Sequence, residues 1–189
     1  MNGKIVTTIT IGTFALAAIL STTRPGRAAD AKTPYPSMAP LDQYLMGDRN
    51  AEIDLARTAA PPPISRDATV MVLGRRGYET AVEGKNGFVC MVDRAWMGPF
   101  DSPEFWNPKN RGPLCFNPPA ARTILPLTLR RTDLVLAGLS KAQIIDGLKL
   151  FQKNELPVIE PGAMSYMMSR HARLNDSAGH WVPHLMFYV

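Results

Sequence analysis

The sequence predicts an α+β domain, with an antiparallel sheet of about five strands and two or three helices packed on one face of it. Three observations indicate this class. Strand-like and helix-like runs occur in separate blocks along the chain instead of alternating. A long stretch that is dense in prolines and aromatic residues lies between these blocks, and two further strand-like runs close the chain.

The first block begins with a helix and continues with strands. Residues 48–59 are typical of a helix, because Asp48 can cap the first turn and the prolines from Pro61 onward end it. Three runs rich in β-branched and apolar residues follow, over residues 69–73, 78–82 and 88–92. The Gly/Asn-rich connector at residues 84–87 predicts a hairpin between the last two runs, and hence an antiparallel meander.

Residues 95–119 form the long Pro/aromatic-rich loop. Six prolines in this stretch disfavour regular helices and strands. The aromatic residues among them indicate that the loop is packed rather than disordered. A loop of this length inside a compact domain is uncommon and often functional.

Two helices and two closing strands are predicted for the part of the chain after the Pro/aromatic-rich loop. Residues 120–136 are expected to form one helix, and Ser140 with Gln143 forms a capping box that opens a second. Residues 163–169 and 185–189 are expected to be strands that flank a polar, turn-rich segment.

The N-terminus has the three parts of a secretory signal peptide. Lys4 supplies a positive charge, residues 5–20 contain no charged side chain, and small residues precede a cleavage position after Ala28. We therefore predict that residues 1–28 are a cleaved signal peptide, with Ala31 as an alternative cleavage position. An uncleaved anchor is the other interpretation, but a spanning helix needs roughly 20 apolar residues. The run here is shorter and is interrupted by threonines.

Cleavage would leave a short leader and one domain. Residues 29–40 are rich in Pro and Ala and predict a flexible leader, and residues 41–189 predict a single globular domain. No segment after residue 28 is apolar enough to predict a membrane span. The predicted location is outside the cytoplasm, either periplasmic or secreted.

Charge and cysteine content are typical of export. The chain has 21 Lys+Arg against 16 Asp+Glu, but three of the basic residues and none of the acidic ones lie in residues 1–28. The remaining 18 to 16 balance provides no concentrated basic face, so we expect no nucleic-acid partner. Cys90 and Cys115 predict one disulfide in an oxidising compartment, with two buried free thiols as the alternative.

A candidate metal site lies in residues 175–184. Asp176, His180 and His184 are residue types that bind zinc or another divalent cation, and positions four apart in an extended segment face the same side. Their spacing matches no zinc signature, so the alternative is that the imidazoles hydrogen-bond backbone groups. A serine hydrolase centred on Ser177 would lack the G-x-S-x-G motif.

Aromatic and amide side chains in the loops form a second candidate site. Trp96, Trp106, Asn107 and Trp181 are suited to binding a glycan or peptide of the cell envelope, because they combine aromatic faces with a hydrogen-bonding amide. The alternative is that the rings fill the open end of the core, since large aromatic side chains are usually buried.

Parts of the sequence resemble a family of exported bacterial proteins that has no assigned activity. The similarity lies in residues 86–90 (Asn-Gly-Phe-Val-Cys), residues 103–108 (Pro-Glu-Phe-Trp-Asn-Pro) and the closing residues 175–189. The resemblance implies a bacterial envelope or secreted protein and assigns no activity, cofactor or site.

The function expected from the sequence is therefore that of an exported binding or structural module that needs no cofactor. The alternative is a metal-dependent, hydrolase-like enzyme that uses zinc or another divalent cation at Asp176, His180 and His184.

Overall fold

Six strands form one mixed sheet in the computed structural model of the chain, which describes residues 34–176 and 179–189. The strands are β1 (Thr69–Gly74), β2 (Gly77–Val82), β3 (Val89–Asp93), β4 (Gly112–Phe116), β5 (Met164–Met167) and β6 (His184–Phe187). Their order across the sheet is β2-β1-β3-β4-β5-β6, and every neighbouring pair is antiparallel except β1 with β3. The predicted α+β class is confirmed, with six strands where about five were expected.

Three of the five helices described here begin at a side-chain cap. They are α1 (Arg49–Arg57), α2 (Pro62–Ser65), α3 (Pro118–Thr123), α4 (Leu125–Leu136) and α5 (Lys141–Asn154), with 3-10 turns at Leu41–Gln43 and Ala95–Met97. The Asp48 side chain accepts a hydrogen bond at the start of α1, and Ser140 with Gln143 forms the predicted capping box of α5. The single helix predicted for residues 120–136 is instead divided at Ile124, because Pro126 has no N–H to continue the helical ladder.

Helices cover both faces of the sheet, whereas the sequence predicted helices on one face. Cys90 of β3 packs in a cluster with Ala56 of α1. Its neighbour Met91 packs in another cluster with Ala120 of α3 and Leu125 of α4. Successive side chains of a strand point to opposite faces, so a strand that is apolar at every position must be covered on both.

The predicted hairpin between residues 78–82 and 88–92 is wrong. Strand β2 instead forms a hairpin with β1, through a turn at Arg75 and Arg76. Strand β3 lies on the other edge of β1 and runs parallel to it, with Val89 opposite Thr69.

Close contact between the 84–87 connector and the start of β1 explains this difference. A Cβ atom at Gly84 would lie 2.1 Å from the backbone nitrogen of Thr69, so only glycine allows the approach. The N–H of Lys85 donates to the carbonyl oxygen of Asp67 at 2.9 Å. The connector therefore crosses β1 instead of turning back along β2.

The Pro/aromatic-rich loop contains a strand that the sequence did not predict. Strand β4 lies inside residues 95–119 and is buried along its whole length. Its proline, Pro113, is tolerated because β5 pairs only with Cys115 and Phe116, so one edge of β4 is not part of a ladder near the proline.

A disulfide joins Cys90 and Cys115, as the sequence predicted. The two cysteines are opposite each other in the register of β3 and β4, and both are fully buried. The bond closes a loop that contains the 3-10 turn Ala95–Met97 and most of the Pro/aromatic-rich stretch.

The predicted signal peptide lies outside the described residues, as does the first part of the predicted leader, residues 29–33. In the described part of the leader, Tyr35, Met38 and Ala39 pack against a cluster of buried apolar side chains in the core. Within residues 34–176 and 179–189, no helix has both the length and the apolar character that crossing a membrane requires.

Candidate functional site

A cleft of about 280 Å³ opens where β3 ends and β4 begins. Asp93 is the last residue of β3 and Gly112 the first of β4, and the antiparallel register places them opposite each other. The cleft is lined by Asp93, Arg94, Ala95, Met97, Gly98, Pro99, Ser102, Glu104, Asn110, Gly112, Met167, Arg173, Leu174, Asn175 and Trp181. Most of the lining thus comes from the loop that the disulfide closes, and the rest comes from Met167 at the end of β5 and from the segment that leads into β6.

Two contacts hold the second lining segment against β4. The backbones of Arg111 and Arg173 exchange a pair of N–H to carbonyl hydrogen bonds, each 2.7 Å long. The ring of Trp181 lies directly over Gly112, because a Cβ atom at that position would be only 3.0 Å from Cη2 of the indole. Glycine at residue 112 therefore allows Trp181 to form part of the cleft beside Asp93.

Three side chains that line the cleft carry buried polar atoms without a hydrogen-bond partner among the described residues. These atoms are Oδ1 of Asp93, Oδ1 of Asn110 and Nε1 of Trp181. Leaving a buried polar atom unsatisfied typically costs about 1–3 kcal/mol, so most such atoms in folded proteins have partners. Three residues with such atoms line this one cleft, which makes it the candidate site.

The rest of the cleft floor is held by a buried ion pair. Arg94 is 2% exposed, and its Nη2 donates to Oε1 of Glu52 at 2.8 Å. Its Nε donates to the carbonyl oxygen of Tyr44 at 2.7 Å. The backbone N–H of Leu73 donates to the same Glu52 oxygen. Arg94 therefore has its partners within the protein and connects the cleft to α1 and β1.

Burial raises the pKa of Asp93 from its ordinary value of 3.8 to about 7. The positive charges of Arg94 and Arg131 act in the opposite direction, but their effect is smaller than that of burial. A carboxyl group with such a pKa is present in both protonation states near neutral pH. Asp93 can therefore accept or donate a hydrogen bond in the cleft.

We expect Asp93 to make the folded protein less stable as the pH rises. In the unfolded chain the carboxyl ionises near pH 3.8, whereas in the folded protein it ionises near pH 7. Its contribution to stability is therefore fully present below about pH 3.8 and is lost as the pH rises through 7.

Thermal unfolding at pH 5 and at pH 8 tests this expectation. The decrease in Tm from pH 5 to pH 8 should be smaller for Asp93→Asn than for the unmodified protein. Equal decreases in the two proteins would contradict this assignment, and Asp54→Asn, at an exposed position of α1, is the control.

The structure does not gather the three predicted metal ligands into one cluster. Asp176 accepts hydrogen bonds from Tyr35 and from Arg173, the latter at 3.2 Å. These bonds, with that of Tyr35 contributing most, lower the pKa of Asp176. Nδ1 of His180 lies 3.0 Å from the carbonyl oxygen of Trp181, and Nδ1 of His184 lies 2.7 Å from that of Val182.

These contacts match the alternative in which the imidazoles hydrogen-bond the backbone. No group of three His, Cys, Asp or Glu side chains arranged to hold a metal ion occurs among residues 34–176 and 179–189. The metal site remains a prediction, and Ser177 lies outside the described residues.

Three of the four residues predicted to bind a ligand are part of the core. Trp96 is fully buried, and its Nε1 donates to Oγ1 of Thr132 at 3.2 Å. Trp106 is 7% exposed, and Asn107 is fully buried, where its amide binds Glu104. These three side chains therefore pack within the domain, and a ligand-binding role for them stays a prediction. Only Trp181 of the four lines the cleft.

Sequence reasoning did not single out Asp93 as a residue of a candidate binding cleft. The available signal was weak: Asp93 and Arg94 are charged residues that directly follow the apolar run of β3. Such a position places charge at the end of a buried strand. Pairing with Gly112, and hence proximity to Trp181, could not be read from the sequence, because β4 was not predicted to be a strand.

Comparison with known proteins does not add to this assignment. No protein-family model matches the chain. Neither a curated protein nor a solved structure matches it either.

Proposed function

We propose that the protein is an exported binding protein and that the cleft beside Asp93 and Trp181 takes a small polar ligand. The observation that carries this proposal is that three residues lining one cleft each carry a buried polar atom with no partner among the described residues. A purely structural module would gain nothing from such atoms, since each lowers the stability of the fold. The cavity has apolar walls and a few polar groups, which is typical of small-molecule sites.

Two features support export. The sequence of residues 1–28 has the composition of a cleaved signal peptide, and the similarity to exported bacterial proteins implies the same location. The disulfide is stable in an oxidising compartment and uncommon in the cytosol. We expect protein recovered from the cell envelope or the medium to begin at Ala29, or at Lys32 for the alternative cut. Intact-mass measurement tests this, and a chain that retains Met1 would contradict it.

Binding can be tested with the indole N–H signals of the tryptophans in an NMR spectrum. A panel of sugars, amino acids, short peptides, amines and carboxylates should contain at least one compound that shifts the signal of Trp181. The signal of Trp96 is an internal control, because its N–H already donates to Thr132 and lies in the core. Trp181→Phe should weaken binding several-fold, since it removes one donor and keeps an aromatic ring. Isothermal titration calorimetry measures this loss, because the variant has no Trp181 signal.

Val182→Ala is the matched control variant, because Val182 is next to Trp181 and is 80% exposed. Binding by this variant should be unchanged. A panel in which no compound moves the Trp181 signal would overturn the proposed function.

A further inference from the structure

We propose that the ligand group recognised in the cleft is an uncharged carboxamide, CO–NH, such as an N-acyl group of an amino sugar or an amide of a peptide. This inference rests on the proposed function of the cleft as a binding site. It adds the chemical class of the ligand, which follows from the hydrogen bonds that the cleft leaves unmade.

The unpartnered atoms include both acceptors and a donor. Oδ1 of Asp93 and Oδ1 of Asn110 are acceptors, and Nε1 of Trp181 can only donate. A ligand must therefore offer N–H or O–H groups to the two oxygens and an oxygen to the indole. An ammonium group has no acceptor for Trp181. A carboxylate has no donor for Asn110, and it has none for Asp93 when Asp93 is ionised. A carboxamide carries both kinds of group on adjacent atoms.

The charges around the cleft also favour a neutral ligand. Four charged residues line it, two acidic and two basic, and three of these already have partners in the protein. Arg94 is paired with Glu52, Arg173 with Asp176, and Glu104 accepts a hydrogen bond from Asn107. A charged ligand would need an opposite charge to offset the loss of its hydration. A cation could be attracted by Asp93 or by Glu104, whose partner Asn107 is neutral. Arg94 and Arg131 beside Asp93 would repel that cation.

Size and apolar surface complete the description of the ligand. A volume of about 280 Å³ is just below the usual range of small-molecule sites. Met97, Pro99, Met167 and Leu174 provide apolar walls for the carbon atoms next to an amide. The cleft is therefore suited to an amide attached to a small alkyl group, one sugar ring or a short peptide.

Small probes with the same three-carbon chain separate the amide from its charged relatives. Propionamide and propionate have nearly the same shape, whereas propylammonium is a smaller cation without an acceptor. Only propionamide is neutral with both a donor and an acceptor. We expect propionamide to shift the Trp181 indole signal with a Kd at least tenfold lower than that of either ion. Equal or tighter binding of an ion would overturn the proposal.

Two further pairs distinguish the sources of the amide. N-acetylglucosamine is compared with glucose, and the dipeptide Ala-Ala with alanyl-lactate, in which an ester replaces the peptide amide. At least one amide should bind tenfold more tightly than its partner, and the pair that does so identifies a glycan or a peptide as the source. If the amides fail while another compound in the panel shifts Trp181, the carboxamide inference is wrong and the proposed binding function stands. If no compound shifts Trp181, both are wrong.

Variants show which atoms select the amide. Binding to Trp181→Phe is measured by isothermal titration calorimetry, because this variant has no Trp181 signal. The substitution should weaken propionamide binding about three- to tenfold and leave propylammonium binding unchanged, because the cation has no acceptor for the indole. Asn110→Leu should weaken the amide by a similar factor. An unshifted Trp96 signal in each variant shows that the fold is intact. An equal loss of both probes in Trp181→Phe would contradict the assigned role of the indole.

Discussion

Replacing Glu52 with alanine should lower the free energy of unfolding by about 3–5 kcal/mol, because the substitution leaves the Arg94 guanidinium buried without its carboxylate. Glu52 is 1% exposed and Arg94 is 2% exposed, so water cannot replace the lost partner. The same Glu52 oxygen also accepts the N–H of Leu73, which would lose its partner as well. Denaturant unfolding measures the effect directly.

A surface ion pair on the same helix is the matched control. Arg49 of α1 pairs with Glu79 of β2, and the two side chains are 49% and 57% exposed. Glu79→Ala should cost less than about 1 kcal/mol, since water solvates the remaining charge. The double variant Glu52→Leu/Arg94→Met removes both buried charges and should be more stable than Glu52→Ala. A loss below 1 kcal/mol in Glu52→Ala would show that the buried pair does not stabilise this fold.

Removing the disulfide should cost about 3–4 kcal/mol in the double variant Cys90→Ala/Cys115→Ala. A cross-link between residues 25 positions apart limits the freedom of the unfolded chain by about that much in the chain-entropy account. Alanine is the suitable replacement because both cysteines are fully buried, and serine would bury an unpaired hydroxyl group. Denaturant unfolding of the variant and of the oxidised protein gives the difference.

Reduction provides an independent check on this prediction. Unfolding of the oxidised protein in the presence of a strong reductant should show a loss similar to that of the alanine variant. Thiol titration of the denatured, unreduced protein should find no free cysteine. Two free thiols, or unchanged stability after reduction, would show that the bond is absent or does not stabilise the protein.

Local signals were sufficient to predict several elements. Asp48 marked the start of α1, and Ser140 with Gln143 marked the start of α5, because caps depend on residues that are close in sequence. The order in which the strands pair could not be predicted from local sequence. The turn at Gly84 resembles a hairpin turn in sequence, yet its close approach to Thr69 depends on a contact that no local pattern reveals.

The candidate site was less predictable than the fold for a similar reason. Tryptophan is a residue type that often binds ligands, so the sequence predicted Trp96, Trp106 and Trp181 as site residues. Whether a given ring lies in the core or in a cleft depends on tertiary packing. Trp96 is buried against Thr132, whereas Trp181 lies over Gly112. Strand β4 brings Gly112 beside Asp93, and its proline made that strand difficult to recognise from sequence.

The disulfide closes the loop that lines the cleft, so ligand binding and reduction of the disulfide should affect each other. The loop between Cys90 and Cys115 contributes Asp93, Asn110 and Gly112 to the cleft, so reduction should loosen the site that binds the ligand. If the oxidised protein binds a ligand more tightly than the reduced protein does, the bound ligand must shift the equilibrium between dithiol and disulfide toward the disulfide. The shift in that equilibrium equals the ratio of the two binding affinities. Each tenfold preference would lower the midpoint potential of the cysteine pair by about 30 mV. An occupied cleft would therefore protect its own cross-link from reduction.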